Sequence, residues 1–411
     1  MRNYIVFAIP VFFLFILVEW VAAKVKNREV YRLNDSITDL SCGISQQVVS
    51  AFSRTLIIGV YVLLYTQWKL FSISMKDVWA WIVIFFAVDC LYYWFHRVSH
   101  RMNAPWAAHI LHHQSEEYNL SVALRQGSFQ PFFSSLFYLP LAILGFPPAM
   151  FVATASINTV YQFWIHTRLV GKLGFLEWFL NTPSHHRVHH GKNPKYLDKN
   201  YAGILIIWDR MFGTFVEEDE EPVYGVTNQP QDFNPIWSNL YYWRDIYRSA
   251  RGFRLWDKVI VWFMPPEWRP SYMEPYPAHP ELDADTYQKY DPSVPFGLKG
   301  YISFHFLLIL LAAIALLHFK PKLPDLPLYV LTAFVIIGVL NMGGLLDRQR
   351  WALGLEAVRM AVAVGFAVHM LHLYIPQQRI AATLASVGLL TVSLIWLMRY
   401  RGVFVTKVMV H

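Results

Sequence analysis

Apolar residues in this chain gather into long runs instead of alternating with polar ones. Such runs stand near 4–22, 46–67, 78–96, 129–149, 150–168, 300–319, 326–346, 353–375 and 381–399. A helix needs about 20 mostly apolar residues to cross a bilayer. The pattern therefore predicts an all-α polytopic membrane protein with nine spanning or re-entrant helices. The run 129–168 is interrupted by Pro140, Gly145, Pro147 and Pro148. A re-entrant hairpin is the alternative there to two full crossings. The first run follows a charged start, as a signal peptide does, but it extends to about Ala22 without a clear small-x-small cleavage site. It reads as an uncleaved first membrane helix.

The only large polar region is 169–299. Its middle, 236–268, mixes Trp, Tyr and Arg with aliphatic residues. That composition suits helices in the headgroup layer or ordinary amphipathic packing helices. The Pro-rich, acidic stretch that follows divides the chain into a catalytic domain with its cap over 1–264, a linker over 265–299 and a four-helix membrane unit over 300–411. There is no internal repeat.

Composition agrees with the pattern. The chain is 55% hydrophobic and 15% charged, with mean hydropathy +0.31, against about 25% charged in average soluble domains. Disordered, nucleic-acid-binding and secreted disulfide-scaffold classes are excluded. The net charge of +7 belongs to loops beside the apolar runs. Lys24, Lys26, Arg28, Arg32, Arg97, Arg101, Arg125, Arg168, Lys172, Arg348, Arg350, Arg399, Arg401 and Lys407 fall on one side if the N-terminus lies on the other. The positive-inside rule then places the N-terminus outside and the C-terminus in the cytoplasm. The two cysteines, Cys42 and Cys90, form no CxxC, so thiolate ligation of a metal is not expected.

Candidate chemistry enters with the histidines. Ten of the 16 lie between 96 and 190, as HRVSH (His96, His100), HILHH (His109, His112, His113), HHRVHH (His185, His186, His189, His190) and the single His166. Residues three and four apart share a helix face, so each group can aim two or three imidazoles at one point. Imidazole suits zinc, copper, iron and nickel. Eight such histidines with His166 exceed what one metal can use, and a dinuclear site at the cytoplasmic helix ends is the direct inference. His185 falls outside the spacing. Gln162, one helical turn before His166, can ligate, hold a metal-bound water or pack. His369 and His372 lack further ligands nearby and read as polar groups between helices, and Glu356 with Arg359 as a pair within one span.

Hydrolytic two-metal sites usually need bridging carboxylates and a base, and few accompany these histidines. A redox pair of irons activating O2 fits better, with a lipid as the adjacent substrate. A metal transporter is a weaker alternative, because transport sites sit near the membrane midplane. The order HxxxH, HxxHH, HxxHH, with HHQSEEYNLSVALRQ, YQFWIHT, NTPSHHRVHHGKN and DKNYAGILIIWDRMFGTF, resembles the fatty acid hydroxylase and sterol desaturase superfamily of membrane di-iron oxygenases, in its alkylglycerol monooxygenase branch. The resemblance is carried by about 80–225. It implies hydroxylation of the carbon beside an alkylglycerol ether oxygen, with O2, two Fe ions and tetrahydrobiopterin as reductant. A sterol or fatty-acyl hydroxylase or desaturase is the alternative within the superfamily. The implied metal ligands are His96, His100, His109, His112, His113, His166, His186, His189 and His190. Glu116, Tyr118, Asn119 and Arg125 match the motif after the second cluster, with Glu116 expected to hold a ligating imidazole's free N–H or to be a surface charge. Asp209 and Arg210 match a motif expected to stabilise the fold. The expected compartment is the endoplasmic reticulum in a eukaryote or the inner membrane in a bacterium.

Overall fold

A computed structural model describes residues 4–374, 377 and 379–404. The described residues are helical, with no strand and only two isolated bridge pairs, Leu180 with Leu205 and Gly191 with Tyr224. The chain divides into two compact units, Met1–Pro230 with Ser238–Lys289, and Gln231–Trp237 with Tyr290–His411.

Among the described residues each apolar run of the sequence falls mainly on helices. In the first unit these are α1 (Tyr4–Val25), α2 (Leu33–Trp68), α3 (Val78–Arg101), α5 (Gln130–Leu144) and α6 (Pro148–Trp164), with the short α4 (Asn103–His113) between α3 and α5. The rest of that unit adds α7 (Pro183–His190), α8 (Ile207–Met211), α9 (Pro235–Ser249, whose first turn belongs to the second unit) and α10 (Leu255–Ile260). Among the described residues five helices are long and apolar enough to cross a membrane: α2, α3, and three of the second unit that begin at Phe296, Asp325 and Arg350. This is an integral membrane protein.

Helix α2 begins well before its apolar run. Its first half carries Asn34, Asp35, Thr38, Asp39, Ser41 and Ser45, all buried. Thr38 and Ser45 donate to carbonyls one turn back. Asp39 pairs with Arg125 at 3.1 Å and accepts from Ser121 at 2.9 Å. Reading hydrophobicity alone misses this half, because its inward face is polar.

Helices α5 and α6 form a hairpin. Pro140 lies inside α5, and the break comes at Gly145, whose φ of +98° ends the helix. A Cβ there would stand 1.9 Å from the Phe71 carbonyl oxygen, so only glycine fits. Pro148 then opens α6 at a position where no N–H is needed. The helices have 15 and 17 residues, or about 22–25 Å at 1.5 Å per residue. Neither reaches the ~30 Å of a hydrocarbon core.

Loops replace sheet ladders around the polar end of the first unit, and buried carboxylates hold them. Asp89, inside α3, accepts from the backbone N–H of Ile204 (2.8 Å) and Leu205 (3.0 Å), from the Trp208 indole (2.9 Å) and from Asn158 of α6 (2.7 Å). Asp209 holds the N–H groups of Tyr201 and Ala202, both at 2.8 Å.

The second unit packs α11 (Phe296–Phe319), α12 (Asp325–Leu346), α13 (Arg350–Tyr374) and α14 (Arg379–Met398) in a ring, each on the next and α14 back on α11. The pairing expected within one span is present. Arg359 donates to both oxygens of Glu356 at 2.8 and 2.6 Å, and Tyr301 and Asn341 complete that carboxylate's partners.

Replacing Asp89 by Ala leaves two backbone N–H groups, an indole and an amide without their acceptor. Each orphaned buried donor costs about 1–3 kcal/mol. Asp89→Ala is therefore expected to lower the melting temperature of the detergent-solubilised protein by ten degrees or more, about 4–8 °C per kcal/mol at small-domain size and less here. A thermal unfolding scan checks this.

Candidate metal centre

Four short pieces of chain bring the histidines together. Helix α3 ends at Arg101, Met102 adopts an extended conformation, and α4 starts at once with Asn103. Asn103 ties this corner down by donating to the Val261 carbonyl at 3.0 Å. The corner sets His96 and His100 against His109 and His113. Helix α7 is eight residues long, starts on Pro183 and is buried along its whole length. His166 follows the end of α6.

The nine expected ligands form two groups, and His185 belongs to neither. His96, His100, His109, His113 and His189 make the first, and His112, His166, His186 and His190 the second. All nine are buried, and within each group the candidate ligand nitrogens lie within 4.8 Å of one another. The spacing argument thus finds its partners, except that HxxHH splits. The i and i+4 members of HILHH join one group and the i+3 member the other. In HHRVHH, His189 joins the first group while His186 and His190 join the second.

The outward ring nitrogens fix the tautomers. Nδ1–H of His96 donates to the Tyr201 carbonyl at 2.7 Å, that of His112 to Arg125 at 2.9 Å, that of His166 to Gln162 at 2.7 Å and that of His189 to Lys199 at 2.9 Å. His109 donates to the Gln130 side-chain oxygen at 2.8 Å. A carbonyl only accepts, so these Nδ1 atoms carry the proton and each Nε2 turns a lone pair inward. The inward atoms are closely opposed: His96 and His109 at 3.0 Å, His112 and His166 at 3.2 Å. Both members of each pair have their proton on the far nitrogen. Two acceptors at hydrogen-bond distance repel unless a cation lies among them. The buried Nε2 atoms of His100, His189 and His190 have no hydrogen-bond partner. The residues present therefore fit metal ions, held by neutral imidazoles with their outer N–H groups anchored.

Electrostatics agree. Burial pushes the pKa of His109 and His166 down to about 4 and that of His189 to about 3. His112, His113, His186 and His190 lie well below the ordinary value, first through burial and then through mutual repulsion. Neutral rings are what a metal requires.

The remaining candidates surround this centre. Gln162 is held at both ends of its amide, accepting from Tyr92 at 2.6 Å and donating to Asn158 at 2.6 Å, while its carbonyl anchors His166. Its side chain is a packing amide. Glu116 is buried; it accepts from the Tyr287 hydroxyl and stands 3.9 Å from Arg32. Asn119 donates to the Val30 carbonyl at 2.6 Å, and Tyr118 stacks on His166 with centroids 5.6 Å apart. Arg125 donates to Asp39, Gln114 and the Leu111 carbonyl, and so positions its own carbonyl for His112. Asp209 acts as expected of a stabilising residue, since the Tyr201 it holds anchors His96. Arg210 donates to the Glu177 carbonyl at 3.1 Å and lies over Phe215. Arg101 pairs with Asp198. His185 packs edge-on against Phe215. The sequence reading did not include Tyr201, Lys199, Gln130, Asp39 or Tyr287. All five lie outside the histidine motifs; Lys199 and Tyr201 stand in the DKNYAGILIIWDRMFGTF segment but act through backbone carbonyls, which residue type does not reveal.

The model of the fatty acid hydroxylase family matches residues 81–214, the span that holds all nine histidines. Relatives named alkylglycerol monooxygenase align over most of the chain. The one from Xenopus tropicalis is 37% identical over 87% of this chain and 80% of its own length. Those from Danio rerio and Homo sapiens are 39% and 37% identical, each over 87% of this chain, covering 80% and 81% of the relative. The chain belongs to the alkylglycerol monooxygenase family. It is a lipid monooxygenase of the fatty acid hydroxylase superfamily, and the branch suggested by the motifs is the one found. No solved structure matches it.

Two predictions follow from the geometry. His112→Ala removes one of four ligands of the second group and is expected to lower bound metal by about half and abolish turnover. His185→Ala, outside both groups, is expected to keep its metal; elemental analysis of the purified variants separates them. The second concerns pH. Unfolded histidines titrate near 6.5, whereas His109, His166 and His189 resist protonation down to about 4, 4 and 3. Below pH 6.5 the unfolded chain binds more protons than the fold, so stability is fully present above that pH and is lost as pH falls towards 4. Each such group contributes up to about 1.4 kcal/mol per pH unit. Metal-stripped protein is expected to melt progressively lower between pH 6.5 and 4, as thermal scans across that range would show.

Proposed function

We propose that the protein uses two iron ions, held by His96, His100, His109, His113 and His189 and by His112, His166, His186 and His190, to hydroxylate the carbon beside the ether oxygen of an alkylglycerol. The observation that carries this reading is the pair of buried groups made of imidazole alone, in a chain whose relatives are named for that activity. Bound irons would supply the redox chemistry that activates O2. Imidazole ligation without a carboxylate in either group favours this over metal-assisted hydrolysis.

The balance is simple. O2 takes two electrons and two protons; one oxygen atom becomes the hydroxyl on the carbon and the other leaves as water. The hemiacetal then passes its hydroxyl proton to the ether oxygen, the C–O bond breaks, and a fatty aldehyde and glycerol separate. The electrons are assigned to a tetrahydropterin, and the site to the cytoplasmic side, on which the positive-inside rule would put the basic loops.

The protein's own groups prepare the centre. Four backbone carbonyls and one amide oxygen hold the imidazoles in their metal-binding tautomer. Tyr118, stacked between His166 and Tyr224, excludes water from one flank of the second group. Glu116 is assigned a positioning role: through Tyr287 it draws the segment before the second unit onto the loop that follows α4. Lys289 does the same at Glu117, at 2.6 Å.

Purified protein is expected to contain two irons and to consume O2 only with both an alkylglycerol and a tetrahydropterin, releasing aldehyde detected by mass spectrometry. Two irons with turnover of a sterol or fatty-acyl substrate instead would reassign the substrate and keep the oxygenase class. Absence of iron would sink the reading.

A further inference from the structure

Two cavities of the first unit share part of their lining. One, of about 480 Å3, opens between α1 and α6 and is lined by apolar side chains such as Phe15, Val18, Val160, Phe163 and Trp164. Its one carboxylate, Glu19, is engaged: it accepts from Tyr31, Thr167 and the Leu120 N–H. The other, of about 300 Å3, is lined by Lys26, Arg28, Arg168 and Arg187, with Glu218 and Glu221. Leu169 and Val170 line both. An apolar cleft between α1 and α6 thus lies beside a polar pocket where four cations face two carboxylates, the two sharing the wall formed by Leu169 and Val170.

The cations are not equally available. Arg187 is consumed by the chain, with Glu218 held in a fork at 2.6 Å and the Thr167 and Val170 carbonyls on its third nitrogen. Arg168 reaches Glu221 at 2.9 Å and Glu117 at 3.4 Å. Arg28 donates to the Arg168 carbonyl at 3.3 Å, and Lys26 has no carboxylate partner among the described residues. The surplus positive charge therefore sits on Lys26 and Arg28, in the loop just after α1.

We infer that this composite cavity binds a membrane phospholipid of net negative charge, with one acyl chain between α1 and α6 and the phosphate against Lys26 and Arg28. Basic pockets beside membrane helices on the cytoplasmic face are suited to anionic headgroups, and only an amphiphile fills both halves. None of the nine histidines lines either cavity, so the occupant is a resident or regulatory lipid beside the centre and not the oxidised substrate. It is nevertheless linked to the second histidine group. Thr167 follows His166 directly, and Arg187 follows His186. Ordering this cavity orders the chain on which two of the four ligands stand.

The test uses the full-length protein in neutral detergent and reads melting temperature, with native mass spectrometry for bound lipid. Phosphatidylglycerol is expected to raise the melting temperature by several degrees and to be retained. Phosphatidylcholine of the same chains and inorganic phosphate alone are expected to do neither. The shift should shrink as salt rises. Lys26→Ala with Arg28→Ala removes the free charge, and Val160→Trp fills the apolar arm while leaving the charge; each is expected to abolish the shift. Arg168 and Arg187 are left intact because they hold the fold. An equal response to phosphatidylcholine, an equal response to free phosphate, or a phosphatidylglycerol shift that survives both variants would overturn the proposal. Because the readouts are binding and melting, they stand apart from any result on ether cleavage.

Discussion

Lone pairs of neutral imidazoles converging on two points underlie the rest of the architecture. Nitrogens that both accept do not approach within 3.0–3.2 Å of their own accord. Left to rotate, each ring would turn its N–H inward and satisfy its neighbour. Rotation is prevented from outside: Tyr201, Arg125, Gln162 and Lys199 present carbonyls that can only accept, and the proton stays on the far nitrogen. The fold therefore stores an arrangement that a cation relieves, and the energy of metal binding is in part the energy of holding those carbonyls in place.

Those carbonyls must themselves be fixed, and most belong to loops without a ladder of backbone hydrogen bonds. Buried carboxylates take over that task. Asp209 grips Tyr201, Asp89 grips the following turn, and Asp39 grips Arg125. Each is buried, where an unpaired charge would be costly, and each is tied by several donors. The chain of support runs from carboxylate to loop, from loop carbonyl to imidazole N–H, and from imidazole lone pair to metal. Loss at any step is felt at the next, so residues far from the metal by sequence behave as part of the centre.

This explains what could be read from the sequence. The apolar runs were legible because a bilayer demands length and apolarity in one continuous segment. The histidines were legible because helical spacing places them on one face. The division of the nine between two groups was not, since it depends on the angle between α3, α4 and α7, which Met102 and the loops decide. The polar half of α2 was hidden for a related reason. Its buried face is matched to Arg125 and Ser121 from a distant loop, and polarity buried against polarity leaves no periodic trace. Tyr201 and Lys199 act through backbone atoms, which every residue type possesses.

The α5–α6 hairpin shows how the membrane and the metal centre constrain each other. Gln130 opens α5 and holds His109; His166 follows α6 by two residues and joins the second group. Both feet of the hairpin thus stand at the centre, and its tip is the Gly145–Pro148 turn. A segment anchored at both ends to one cluster must go out and come back, whatever its depth. At 15 and 17 residues per arm neither arm reaches the ~30 Å of a hydrocarbon core, which is the length expected of a re-entrant segment. Because entering and returning adds no net crossing, the sidedness of the termini inferred from the basic loops is the same for a re-entrant hairpin as for two full spans. The hairpin carries a glutamine and a histidine to fixed places, while its arms keep apolar side chains such as Leu136, Ile157 and Val160 exposed.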